Sequence, residues 1–136
     1  MASRHIFLAG AAAALLIVLP MRSSADEKTF AGTWVITGNL ANPAGGEDIN
    51  PTCKFKVDGK AVSGSCEGRN GMGAVDGSVD GDKIVFNWDR IAKNDKVWDA
   101  KLTFRGEIGD DGVLRGQWKD STIDDTVGTF VGQKLK

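Results

Sequence analysis

The sequence predicts an all-β fold: one eight-stranded antiparallel up-and-down β-barrel with a disulfide-linked hairpin. Three observations predict it. Short stretches of alternating apolar and polar residues follow one another from residue 30 to the end of the chain, which is the two-residue period of a strand with one buried face. Clusters of Gly, Asp and Asn separate these stretches, as tight turns require. The two cysteines, Cys53 and Cys66, fall opposite each other when one of those turns is built. Eight strands with one apolar face each must bury that face, and closing the sheet does so while removing its edges.

The first element is a leader and not part of the fold. Arg4 and His5 make a basic tip, and Ile6 to Leu19 is an unbroken run of apolar and small residues. Pro20 ends the run, and Ser23-Ser24-Ala25 supplies the small residues of a cleavage site. A retained anchor is the alternative, but the run falls short of the roughly 20 residues that span a bilayer. The expectation is a signal peptide over residues 1–25, a secreted or periplasmic protein, and a single domain from Asp26 to Lys136.

The strands follow in order. The first runs from Phe30 to Thr37, with Phe30, Trp34 and Ile36 on one face, and a long loop from Gly38 to Asn50 follows. The second and third, Thr52 to Val57 and Ala61 to Glu67, flank a Gly59-Lys60 turn. Counting outward from that turn places Cys53 opposite Cys66 at a non-hydrogen-bonded pair, where the chains approach most closely. An oxidising compartment then favours the bond. The fourth strand is Gly73 to Val79, with Val75 and Val79 inward, and the fifth is Lys83 to Asp89, with Ile84, Phe86 and Trp88 inward. A charged loop, Arg90 to Lys96, leads to the sixth, Val97 to Ile108, with Trp98, Ala100, Leu102 and Phe104 inward. Gly109 to Val113 fits a three-residue hairpin loop with Gly112 left-handed, which pairs Gly106 with Gly116 and Phe104 with Trp118. The seventh strand is Val113 to Lys119, and the eighth, Thr126 to Leu135, turns Phe130 inward.

Composition excludes several functions. Removing the leader takes Arg4 and Arg22 and leaves 15 basic against 18 acidic residues, a net charge of −3 with no basic stretch. Nucleic acid is therefore not an expected partner, nor is a membrane once the leader is cut. His5 is the only histidine and there is no tyrosine. Histidine-based triads and histidine-ligated metals are excluded from the domain, and no cofactor or metal is implied. Asp76-x-Ser78-x-Asp80-Gly81-Asp82 resembles the start of a calcium loop, but Asn87 stands where the bidentate Glu belongs, so a hairpin is the better reading.

The tryptophans carry the functional expectation. Trp34, Trp88, Trp98 and Trp118 join Phe86, Phe104 and Phe130 on the inner face. They are either packed core or the lining of a ligand cup. Each indole N–H needs a partner or water, which favours one open end. Above them the long loops bring Arg69, Asp89, Arg90 and Lys93 to one rim, with Glu67, Asn70, Asp95, Lys96, Asp124 and Asp125. That rim is the expected mouth.

Several short pieces resemble avidin and streptavidin: Gly32-Thr33-Trp34, Val62-Ser63-Gly64-Ser65-Cys66-Glu67, Asn87-Trp88, Gly116-Gln117-Trp118 and Thr129-Phe130-Val131-Gly132. The resemblance implies a calycin-like barrel with a ligand cup in which Trp88, Trp98 and Trp118 match aromatic walls of the biotin site. Ile36, Cys66 and Lys134 stand where the family has an Asn, a Tyr and an Asp that hydrogen-bond the ureido ring, so tight biotin binding is not expected. The opening and the single disulfide also resemble, more loosely, small periplasmic barrel inhibitors of secreted metalloproteases.

These readings converge on an exported barrel that binds a small, partly apolar molecule in an aromatic cup. The alternatives are a cofactor-independent lyase, isomerase or cyclase using rim carboxylates with Arg or Lys, and an inhibitor-like protein-binding barrel. The sequence leaves a homo-oligomer open.

Overall fold

A computed structural model describes residues 29–42, 45–69, 71–93, 98–123 and 126–136. The leader, Asn70, Asp95, Lys96, Asp124 and Asp125 lie outside the described residues. The strands are β1 (Gly32–Asn42), β2 (Gly45–Ile49), β3 (Thr52–Asp58), β4 (Ala61–Gly68), β5 (Gly71–Asp80), β6 (Lys83–Ala92), β7 (Ala100–Ile108), β8 (Leu114–Asp120) and β9 (Gly128–Lys134). Every neighbouring pair is antiparallel. β1 and β3 to β9 close into an eight-stranded barrel through the β1–β9 pairing, and β2 adds to the upper half of β1.

The turn chemistry sets the register. Gly59, Gly81 and Gly112 have φ of 62°, 61° and 77°, and no side chain would take these values as cheaply. With those turns fixed, Cys53 faces Cys66, Val79 faces Ile84 and Phe104 faces Trp118. The Asp76–Asp82 stretch is the β5–β6 hairpin, with Asp80 paired to Lys83. Cys53 and Cys66 are disulfide-bonded with their Cα atoms 4.0 Å apart, as a non-hydrogen-bonded pair allows.

Two segments depart from the expectation. The Gly38–Asn50 loop is mostly strand: β1 continues to Asn42 and β2 returns from it, with Gly38 paired to Ile49. The alternation begun by Trp34 and Ile36 continues through Leu40, which is buried with Ile49. The other is at the β6–β7 connection. β6 runs three residues beyond Asp89, so Arg90 lies in a strand and not in a loop, while β7 starts only at Ala100. Trp98 is therefore outside the barrel wall and 58% exposed, not inward.

Inside, the barrel is aromatic. Phe86 stacks on Phe104 at 4.6 Å, and Phe104 meets Trp118 at 6.0 Å and Phe130 at 5.3 Å. Phe55 meets Phe86 edge-on at 5.0 Å. These offset and T-shaped contacts suit the ring quadrupoles. Trp34 packs near Phe30 at the short-turn end and donates its indole N–H to the Phe30 carbonyl at 2.9 Å.

Candidate functional site

The polar interior is concentrated at the long-loop end. Along β6 the residues Ile84, Phe86, Trp88 and Arg90 share the inner face, so the strand period carries a guanidinium inside, where Arg90 is 3% exposed. The same period places Asp120 inward two residues after Trp118 on β8, where it is 2% exposed. Glu47 stands two residues before the buried Ile49 on β2 and reaches Arg90 from the far side.

Arg90 ties these elements together. Its Nη1 donates to Glu47 Oε1, and its Nη2 donates to the Trp98 carbonyl at 3.2 Å and lies 3.6 Å from Asp120 Oδ2. Asp120 Oδ1 accepts from the Thr122 amide at 2.8 Å and the Thr122 hydroxyl at 2.6 Å. That hydroxyl in turn accepts the Trp98 indole N–H at 2.6 Å. Exposed Trp98 is thus strapped across the rim by both its carbonyl and its ring.

The two carboxyls titrate apart. Burial pushes Glu47 up, and its hydrogen bond with Asp120 adds to this against the opposing pull of Arg90. Burial alone would raise Asp120 too, but the hydrogen bonds from Glu47 and Thr122, with Arg90 nearby, bring it below its ordinary value. Glu47 therefore holds its proton more tightly than a free carboxyl does, and Asp120 less tightly. Asp120 Oδ2 accepts no hydrogen bond and faces Arg90 Nη2 at 3.6 Å.

Two donors remain. Trp34, Trp98 and Trp118 give their indole N–H groups to protein acceptors, Trp118 to the Thr129 carbonyl at 3.1 Å. Trp88 Nε1 and Arg90 Nε are buried without one. Both residues line a cavity of about 10 Å³ between β2 and the β4–β5 turn. It adjoins a groove of about 480 Å³ across the outer face of β1, and the two share Asp48, Ile49, Asn50 and Arg69.

The expected site residues are distributed as follows. Trp34, Trp88, Trp118, Phe86, Phe104 and Phe130 come together inside, each buried, while Trp98 stands on the rim outside them. Arg69 is an exposed rim residue, and Lys93 pairs with Glu67 at 2.6 Å. Asp89 faces outward on β6. Glu47 and Asp120 were not singled out as site residues. Their parity with Ile49 and Trp118 is the signal that finds them.

No protein-family model matches this chain, and no curated protein matches it significantly. The architecture itself, a closed eight-stranded antiparallel barrel, is compatible with a calycin-like fold.

Proposed function

We propose that this chain is an exported barrel that binds a small, partly apolar molecule at its long-loop end. The observation that carries the reading is the buried set of Arg90, Trp88 and Asp120, with half-buried Glu47 paired to Arg90 and two N–H donors left without protein partners, above an otherwise apolar interior. Burying charges costs several kcal/mol per ion before pairing, and an aliphatic residue would serve a purely structural barrel about as well. Unpaired donors at the mouth of an aromatic interior are the arrangement of a small-molecule site. The disulfide and the leader support export. In this reading Trp88 contacts the molecule, and Phe86, Phe104, Phe130, Trp34 and Trp118 form the packed interior behind it. The avidin-like segments support a shared scaffold and not a shared ligand.

Two observations favour other readings. Glu47, whose carboxyl burial raises above its ordinary value beside Arg90, is of the type that a cofactor-independent lyase or isomerase uses for proton transfer. Trp98, Met72, Ile91 and Val127 are exposed at the same end, which suits a protein-binding, inhibitor-like rim. Native mass spectrometry of protein purified from its source tests the first reading. The expected result is a retained small molecule, lost on Trp88→Ala replacement. A bare chain mass, together with tryptophan fluorescence that no small molecule of a chemically broad panel perturbs, would overturn it.

A further inference from the structure

We propose that the opening between β2 and the β4–β5 turn is the part of this site that takes a carboxylate, with Trp88 Nε1–H and Arg90 Nε–H as donors to one of its oxygens. The inference rests on the small-molecule reading above and adds the chemistry of the ligand. It starts from the strand pairing. β2 is bonded along one edge, to β1, and the β3–β4 ladder begins only at the Thr52–Glu67 pair. Above that pair the chain turns at Asn50-Pro51, and the wall between β2 and the β4–β5 turn has no ladder. The cavity sits there, lined by Pro51, Gly68, Arg69, Gly71, Trp88 and Arg90 among others.

The size and polarity of the opening define what fits. About 10 Å³ admits one oxygen-sized atom. The two unpartnered groups are donors only, because neither an indole N–H nor a guanidinium can accept, so that atom must be an acceptor. Glycine lets the chain pack closely around the opening: a Cβ on Gly71 would fall 2.4 Å from Arg90 Cγ, and one on Gly68 would fall 3.2 Å from Pro51 Cα. A guanidinium stands on each side. Arg90 is inside, with Glu47 and Asp120 on its Nη groups and its Nε edge unpartnered, and exposed Arg69 stands at the outer lip beside the groove. Asp48, on the same lip, accepts a hydrogen bond from Asn39 Nδ2 at 2.6 Å. One carboxylate oxygen enters the cavity and the second stays with Arg69. The adjoining groove takes the body of the molecule.

The indole N–H resonances of the intact protein test this directly. Three of the four are already bonded within the protein and Trp88 is the free one. Titration with sodium benzoate at constant ionic strength should move the Trp88 indole signal downfield and saturably, leaving the other three in place. Benzamide and sodium chloride should not do so. Arg69→Gln, a surface change that leaves the core intact, should weaken the benzoate response severalfold, and Trp88→Phe should remove the responding signal. A Trp88 signal unmoved by benzoate through the millimolar range, or moved equally by benzamide or chloride, would overturn the carboxylate assignment. If native mass spectrometry still finds a retained molecule, and it has no carboxylate, this inference fails alone. If there is neither a retained molecule nor a shift, both readings fall.

Discussion

Arg90 shows how much chemistry one residue imports into a barrel. The alternation Ile84, Phe86, Trp88 continues onto it, yet charge argues for ending the strand before it, because arginine is seldom fully buried. That is why the strand was legible to Asp89 and the site was not. Two carboxyls reconcile the buried guanidinium with the interior, and the split in their titration has a consequence for stability. Glu47 is raised above its ordinary value of 4.5, so the folded protein binds that proton more tightly than the unfolded chain does. Its contribution is fully present below pH 4.5 and fades as pH rises through the raised value. Asp120 is lowered from 3.8, so its contribution is present above 3.8 and is lost only as pH falls further. Glu47→Gln keeps a neutral donor facing Asp120 without a titrating proton. Urea midpoints of the parent should therefore decline as pH rises above 4.5, and those of the variant should stay level across the same range. A variant that declines in parallel would assign the titration to another group.

At the scale of elements, turns were the most legible features and strand ends the least. Gly59, Gly81 and Gly112 each demand a left-handed backbone, and each placed its hairpin in register, including the cysteine pair. The β1–β2 hairpin was hidden because Gly38, Asn39, Asn42, Pro43 and Gly45 are poor strand formers. It forms because Leu40 and Ile49 bury their side chains over the end of the barrel. Trp98 was misplaced for the converse reason: parity with Ala100 and Leu102 put it inside, but β7 begins two residues later. The two tryptophans should respond very unequally to truncation. Trp118→Ala empties a site against Phe104 and should cost about 3–5 kcal/mol. Trp98→Ala removes an exposed ring with one hydrogen bond and should cost about 1 kcal/mol or less. Chemical denaturation of both variants checks the order, and equal losses would return Trp98 to the core.

For the whole molecule, the barrel was readable because every one of its strands obeys the two-residue period; what lay beyond reading was whether the interior is open. Ring-on-ring contact along Phe55, Phe86, Phe104 and Trp118 shows side chains occupying the centre. The biotin comparison follows from the same packing. Ile36 is buried, Cys66 is held in the disulfide, and Lys134 sits at the far end of β9, paired across to Trp34. None of the three supplies the hydrogen bonds a ureido ring needs. Titration calorimetry with biotin should show no nanomolar binding, and a tight isotherm would restore the cup.

Separating a filled barrel with a binding rim from a barrel with an inner cup requires variants that act on one and not the other. Phe104 is the central test of the interior, since it touches Phe86, Trp118 and Phe130 at once. Phe104→Ala should cost about 3–5 kcal/mol of stability through the cavity it leaves. Its effect on ligand affinity depends on where the ligand lies. A molecule held at the rim by Trp88 and Arg90 does not touch Phe104, so its affinity for the folded variant should be unchanged. Trp88→Ala removes a contact ring and a donor and should weaken the same molecule by about 1–3 kcal/mol. Both affinities are read by calorimetry on the molecule recovered from the native protein, at a temperature well below the unfolding of either variant. A large loss of affinity in Phe104→Ala with little change in Trp88→Ala would move the ligand into the barrel and leave the rim without a role in binding.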